Sequence, residues 1–110
     1  MAFGAGLAGK RPAVLIQNSG LGLCLDALFG MFCLYNQGLL MIVSNRGVLE
    51  WEEIQHQDWG KCTESLLLAS KIKMIYFDEE GIEGLKRAAK MAFENNQVVA
   101  LMMQRGNLDE

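Results

Sequence analysis

Four short apolar runs dominate this chain: Pro12 to Gln17 (PAVLIQ), Leu39 to Val43 (LLMIV), Lys73 to Phe77 (KMIYF) and Gln97 to Met103 (QVVALMM). Runs of this kind, with little polar alternation, suit strands buried on both faces. The segments between them are long enough to carry helices, and strands that alternate with helices form βαβ units around a parallel sheet. The expected fold is therefore α/β: a three-layer, mainly parallel sheet of about four strands with helices on both faces. A chain of 110 residues, 51% hydrophobic and 21% charged, is ordinary globular composition, so residues 1–110 are taken as one domain with one core.

The connecting segments fill in the rest. Asn18-Ser19-Gly20 ends the first run in a tight turn, and a helix should begin near Gly20. Leu21, Leu23, Leu25, Leu28, Phe29, Phe32 and Leu34 surround that helix, so it is expected to pack with little exposed face until Gly38 stops it. Ser44-Asn45-Arg46-Gly47 leaves the second strand. From Val48 to Gly60 no period is visible, and a long polar loop studded with Trp51 and Trp59 is expected, a kind of segment that is usually functional or disordered. Thr63 is the expected N-cap of a short helix through Leu68. Asp78 is the expected N-cap of the last helix, whose Ile82, Leu85, Ala88, Ala89 and Ala92 recur at helical spacing. Ligands in such sheets bind at the carboxyl ends of the strands, which directs attention to Asn18 to Gly22 and Asn45 to Gly60.

Composition removes several function classes. A net charge of -3, with ten Lys and Arg scattered among carboxylates, lacks the basic footprint that nucleic acid requires. Cys24, Cys33 and Cys62 are odd in number and show no C-x-x-C spacing, so neither a disulfide framework nor a zinc site is supported; a reducing, cytoplasmic setting fits. Leu21 to Ser44 resembles a membrane span, but Asp26 and the Asn36-Gln37-Gly38 break divide it into runs shorter than the roughly 20 residues a bilayer helix needs. No signal peptide is evident.

Several motifs admit two readings. Gly4 to Gly9 matches G-x-G-x-x-G, but that motif needs a strand just before it, and only three residues precede Gly4; the small-residue end of a helix is the more economical reading. Asn18-Ser19-Gly20-Leu21-Gly22 is a strand-to-helix turn whose free N–H groups could hold an anion or a polar ring edge, or a plain tight turn. His56, the single histidine, would suit proton transfer or carboxylate recognition, or is incidental. Arg46 stands at a strand end where it would meet an anionic substrate, or is a solvated loop charge. Glu52, Glu53 and Asp58 are acid/base candidates whose plain reading is solvated surface.

The string AGKRPAVLIQNSGLG (Ala8 to Gly22) resembles the loop and strand of sulfopyruvate decarboxylase alpha subunits and the related phosphonopyruvate decarboxylases. LLMIVSNRG (Leu39 to Gly47) is similar to that family's strand ending in a Trp-Arg-Gly loop. IQHQDWGKCTESLL (Ile54 to Leu67) is similar to its segment with Gln-His, a glycine four residues on, and a Thr-Pro-Glu-Leu-Leu-like helix start. The resemblance implies the pyrimidine-binding domain of a thiamine-diphosphate-dependent 2-oxoacid decarboxylase, acting on a 3-sulfo or 3-phosphono 2-oxoacid, with a link to coenzyme M biosynthesis. It implies that Gln17, Asn18, Ser19 and Gly20 lie beside the cofactor's pyrimidine, that His56 is catalytic and faces the substrate, and that Arg46 meets the substrate's anionic end. The diphosphate and magnesium would be held by a beta-type partner chain, consistent with the lack of a Gly-Asp-Gly motif followed by a downstream Asn.

Departures from the family pattern shape a rival expectation. The family's cofactor-activating glutamate would stand upstream of Met1, and its first strands are missing, which leaves an exposed sheet edge. Leu23, Cys24 and Asp26 stand where the family tends to place asparagines, and Asn45 replaces its tryptophan. The chain also stops soon after Met103, as a separate alpha subunit does. These features imply low activity, or a non-catalytic assembly or regulatory subunit that keeps the fold; an unrelated small-molecule-binding α/β domain is a third reading. The content of Met, Leu and Phe, with a sheet short of neighbours, implies a homo- or hetero-oligomer.

Overall fold

The computed structural model describes residues 1–108. The apolar runs form one all-parallel sheet of β1 (Ala13–Gln17), β2 (Leu39–Ser44), β3 (Lys73–Tyr76) and β4 (Val98–Met103), in the spatial order β1-β2-β4-β3. Helices α1 (Ala2–Leu7), α2 (Leu21–Ala27, continued by π-helical turns over Leu28–Cys33) and α3 (Ile54–Ala69) cover one face, and α4 (Phe77–Glu94) lies on the other. The three-layer α/β expectation is met. Because strand side chains alternate between faces, Met41, Val43, Ala100 and Met102 pack with Leu21, Leu28, Phe32 and Leu67, while Leu40, Ile75, Val99 and Leu101 pack with Ala88 and Ala92 of α4. Central β2 and β4 are covered on both sides, which explains why Leu39 to Val43 and Val98 to Met103 hold no polar residue.

The first run departs from its expectation of burial on both faces. β1 is an edge strand, and α4 packs on β3, β4 and β2 but not on it, so Leu15 is 76% exposed. A corresponding correction applies to α2. Leu21, Leu28 and Phe32 are buried, but Leu23, Phe29 and Leu34 face outward, because one sheet can cover only one side of a helix that is apolar all round.

The expected loop from Val48 to Gly60 is shorter than its sequence suggests. α3 begins at Ile54 with Glu53 as N-cap, so His56 and Trp59 are helical. Thr63 is accordingly not a helix start; it sits inside α3, buried, and donates its hydroxyl to the Trp59 carbonyl one turn back. Nor does Asp78 cap α4. Tyr76 takes the N-cap position, and Asp78, Glu79 and Glu80 occupy the first turn, where the helix dipole favours carboxylates. Gly81, at φ 58° and ψ -141°, then breaks that helix one turn after its start. Gly4 and Gly6 lie in and Gly9 just beyond α1, with no strand before them, in line with the helical reading of the glycine motif. Among the described residues no helix is long and apolar enough to cross a membrane.

Candidate functional site

Parallel pairing places Gln17 beside Ser44 at the carboxyl ends of β1 and β2, so the chain leaves both strands side by side. After β1 it makes one 3-10 turn over Asn18–Gly20; after β2 it runs through Asn45, Arg46 and Gly47. Asn18 ties these exits together. Its side chain is fully buried, and its Nδ2 donates to Asn45 Oδ1 at 3.2 Å, the Arg46 carbonyl at 2.9 Å and Thr63 Oγ1 at 2.9 Å. Its Oδ1 accepts the Arg46 N–H at 3.3 Å. One amide therefore links the β1 turn, the β2 turn and the middle of α3, and no donor or acceptor on it is left idle.

The next residues are organised by Glu52, whose side chain is buried. Its Oε1 accepts from Arg46 Nε at 2.7 Å, and its Oε2 accepts the backbone N–H groups of Gly47 at 2.8 Å and Leu49 at 3.1 Å. Burial alone would push this carboxyl up, but the Leu49 amide, the Arg46 guanidinium and the Gly47 amide outweigh it and hold Glu52 below the usual carboxylate range. Arg46 Nη2 also reaches Glu53 Oε2 at 3.4 Å, and that same oxygen lies 3.3 Å from His56 Nδ1. The His56 contact lacks hydrogen-bond geometry, and the buried Nδ1 has no other partner. The Glu53 carboxyl is lowered mainly by its own backbone N–H, against desolvation, with further lowering from the nearby Arg46 and His56. Expectation and structure agree on one point: the Asn18 turn and the His56 segment share one end of the sheet, joined through Arg46 and Glu53.

Two glycines allow this approach. A Cβ on Gly60 would overlap the Gly47 peptide, and one on Gly47, whose φ is +85°, would overlap the His56–Gln57 peptide. The loop backbone thus lies directly on the first turns of α3, which gives a physical reason for a glycine four residues after His56.

Beside this cluster runs a groove of about 810 Å³. Gln17, Ser44 and Arg46 line one part and Gln104 and Arg105 another, over an apolar floor of Leu15, Ile42 and Met103, with Glu53 also on the wall. His56, although adjacent to Glu53, does not line it, and neither do Asn18, Ser19 and Gly20. The Arg105 guanidinium lies 4.6 Å from the Trp51 ring centroid, a cation-π stack joining the segment after β4 to the loop after β2. A smaller hollow of about 490 Å³ lies at the opposite, amino-terminal ends of β3 and β4. Among the described residues, no three His, Cys, Asp or Glu side chains gather as a metal ion would require.

Sequence reasoning named Glu52 as an acid/base candidate or solvated residue but missed its role as a buried anchor, and it missed the Asn18 to Thr63 bond and Arg105. Glu52 and Thr63 join partners that are not periodic neighbours, so no spacing signals them. Arg105 could have been found by extending the strand-end rule from β1 and β2 to the segment following β4.

Fold and site together define a parallel α/β domain of the class that gathers its polar turns at the carboxyl ends of its strands. No protein-family model matches the chain. It is, however, 32% identical to the alpha subunit of sulfopyruvate decarboxylase from Methanococcus maripaludis over 91% of its own length and 61% of that subunit's. The alpha subunit from Methanothermobacter thermautotrophicus is 32% identical over 94% of this chain and 64% of the relative, and that from Methanocaldococcus jannaschii 34% over 90% and 60%. The chain is thus similar to sulfopyruvate decarboxylase alpha subunits over at least 90% of its own length, and it spans less than two thirds of the length of these relatives.

Proposed function

We propose that this chain contributes the aminopyrimidine side of a thiamine-diphosphate site in a 2-oxoacid decarboxylase, residues 1–110 acting as one pyrimidine-binding-like domain completed by a beta-type partner chain. The observation that carries the reading is the Asn18 clamp, which fixes the Gln17 to Gly20 turn against Arg46 and α3 at the ligand-binding end of the sheet. Relatives named as sulfopyruvate decarboxylase alpha subunits supply the reaction class.

The donor set fits the pyrimidine end of the cofactor. Gln17 Nε2 donates to Ser19 Oγ at 3.0 Å, which orients the Gln17 amide at the groove, and the turn adds backbone N–H groups beside it. Asn18 holds this turn in shape rather than facing the ligand, and Ser19 and Gly20, which do not line the groove, would meet the pyrimidine only if it extends past Gln17. The diphosphate and its magnesium are assigned to the partner chain, as the resemblance implies. When bound, thiamine diphosphate supplies the electron sink that lets a 2-oxoacid lose carbon dioxide; the protein positions and tunes it.

Arg46 lies on the groove wall, where it would meet the substrate's anionic end, but two carboxylates already share its charge. Arg105, stacked on Trp51 at the same groove, adds a cation without a carboxylate partner among the described residues, so we assign the anionic end of a 3-sulfo or 3-phosphono 2-oxoacid to both arginines. His56, whose Nδ1 lies 3.3 Å from Glu53 Oε2, is assigned the proton-transfer role; that role requires the bound substrate to extend from the groove across the first turn of α3. A cytoplasmic setting accompanies this reading, and Cys24, Cys33 and Cys62 are free thiols.

Two observations favour a second reading, a non-catalytic assembly or regulatory subunit: the Asn18 amide is spent inside the fold, and Arg46 is bound to glutamates. Calorimetric titration of thiamine diphosphate into the chain co-assembled with its beta-type partner, with a decarboxylation assay on both candidate substrates, separates the two. Binding that is weakened about tenfold by Gln17→Ala, together with turnover, is the expected result. An intact assembly that neither binds cofactor nor turns over substrate would establish the second reading instead.

A further inference from the structure

Arg46 is held by two carboxylates of opposite character. Glu52 is a fixed support: its side chain is buried, its Oε1 accepts from Arg46 Nε at 2.7 Å, and its Oε2 is tied to the Gly47 and Leu49 amides. Glu53 is not fixed. Its side chain is 57% exposed on the groove wall, meets Arg46 Nη2 through one oxygen at 3.4 Å, and makes no capping bond although Glu53 is the N-cap residue of α3. Exposed ion pairs of this kind are the weakest that proteins make. The same Glu53 oxygen lies 3.3 Å from His56 Nδ1 without hydrogen-bond geometry, and that buried nitrogen has no hydrogen-bond partner among the described residues. An idle buried nitrogen beside a carboxylate that is turned toward an arginine leaves one bond still to be made.

We propose that Glu53 is a positioning residue that changes partner when an anion enters the groove: sulfonate or phosphonate oxygens take Arg46 Nη2, and the displaced carboxylate turns to accept the Nδ1–H of His56. This rests on the decarboxylase reading, which assigns Arg46 to the substrate's anionic end and His56 to proton transfer. Glu52 keeps Arg46 anchored through Nε during the exchange, so the guanidinium presents its outer nitrogens without leaving its place. A paired contact of two anionic oxygens with a guanidinium is stronger than the single 3.4 Å contact it replaces, so the exchange runs toward binding. Once Glu53 accepts from Nδ1, the ring proton is fixed there and Nε2 is left as an acceptor. His56 is therefore set to take a proton only when the anionic end of the substrate is seated. Arg46 also remains open to substrate, although two glutamates hold it in the empty site.

His56 is the single histidine of the chain, so nitrogen-15 histidine labelling of the full chain reports it alone. Two-bond proton–nitrogen spectra show which ring nitrogen carries the proton; methanesulfonate and methylphosphonate serve as probes, with sodium chloride at equal ionic strength as the control for screening. In the wild type either probe should move the proton from mainly Nε2 to Nδ1, and chloride should not. Glu53→Ala should bind the probes about twofold to fivefold more tightly, followed at the arginine Nε–H signals, because an exposed competitor is gone, yet its ring should not respond. Arg46→Gln should show the Nδ1 proton with no probe added. That change strips buried Glu52 of its cation, so Glu53→Ala, at an exposed side chain without a capping bond, is the variant that keeps the test independent of folding. Probe binding with no change at His56, the same change in Glu53→Ala or with chloride, or a wild-type ring already protonated at Nδ1 overturns the exchange and leaves the decarboxylase reading in place. Probes that never reach Arg46 overturn the exchange together with that reading's anion subsite.

Discussion

Asn18 shows how much one buried amide can determine. Replacing it by leucine removes the donor that Thr63, Asn45 and the Arg46 carbonyl share, and strands buried polar atoms in place of it. We expect Asn18→Leu to lose about 2–4 kcal/mol of stability, measured by urea unfolding, because unsatisfied buried groups forfeit their desolvation in full. Glu52 predicts a pH dependence. Its carboxyl is held below the ordinary range in the folded chain, so its contribution is fully present above the unfolded-state pKa and is lost as pH falls through the lowered folded value. Urea midpoints recorded from neutral to acid pH should therefore fall more steeply for the wild type than for Glu52→Gln. At neutral pH the variant should be weaker by about 1–3 kcal/mol, since Gln keeps one acceptor but loses the charge that Arg46 needs. From sequence, Arg46, Glu52, Glu53 and His56 were separate charged or titratable residues of one segment. Their pairing was not legible, because it arises only when Gly47 folds back onto α3.

At the level of elements, the contact of Gly47 with Gly60 is a tight joint between the β2 exit loop and α3. Gly60→Ala would drive a methyl group into the Gly47 peptide, and we expect about 1–3 kcal/mol of destabilisation from overpacking. A control, Gly30→Ala, meets open space and should be neutral or slightly stabilising by thermal melting. Strands β1 to β4 and the parallel arrangement were legible, because continuous apolar runs and helix-length spacers leave few alternatives. The start of α3 was not. Its first residues, Ile54 and Gln55, are exposed rather than packed on the core, so they carry no apolar period. The same reasoning explains β1 and α2. Apolar content was correctly recognised in both, yet the sequence of one chain does not say which apolar side chains are covered by that chain and which await another surface.

For the whole molecule, the sheet order sets a gradient of protection. Val99 to Met102 of β4 are at most 1% exposed between two neighbouring strands and under helices on both faces, whereas β1 has one neighbour and one bare side. Hydrogen exchange followed by mass spectrometry should find β4 and β2 slowest and β1 fastest among the strands; equal rates in β1 and β4 would contradict this gradient. The order β1-β2-β4-β3 also governs assembly in time. β3 is synthesised before β4 but has no strand to join until β4 arrives, because β4 alone separates it from β2. A nascent chain can therefore form α2 and the β1-β2 pair early, but must hold β3 and its apolar side chains without a place until the last strand clears the ribosome. That interval, set by topology, is when the chain is most open to misassembly and when a chaperone would have most to protect.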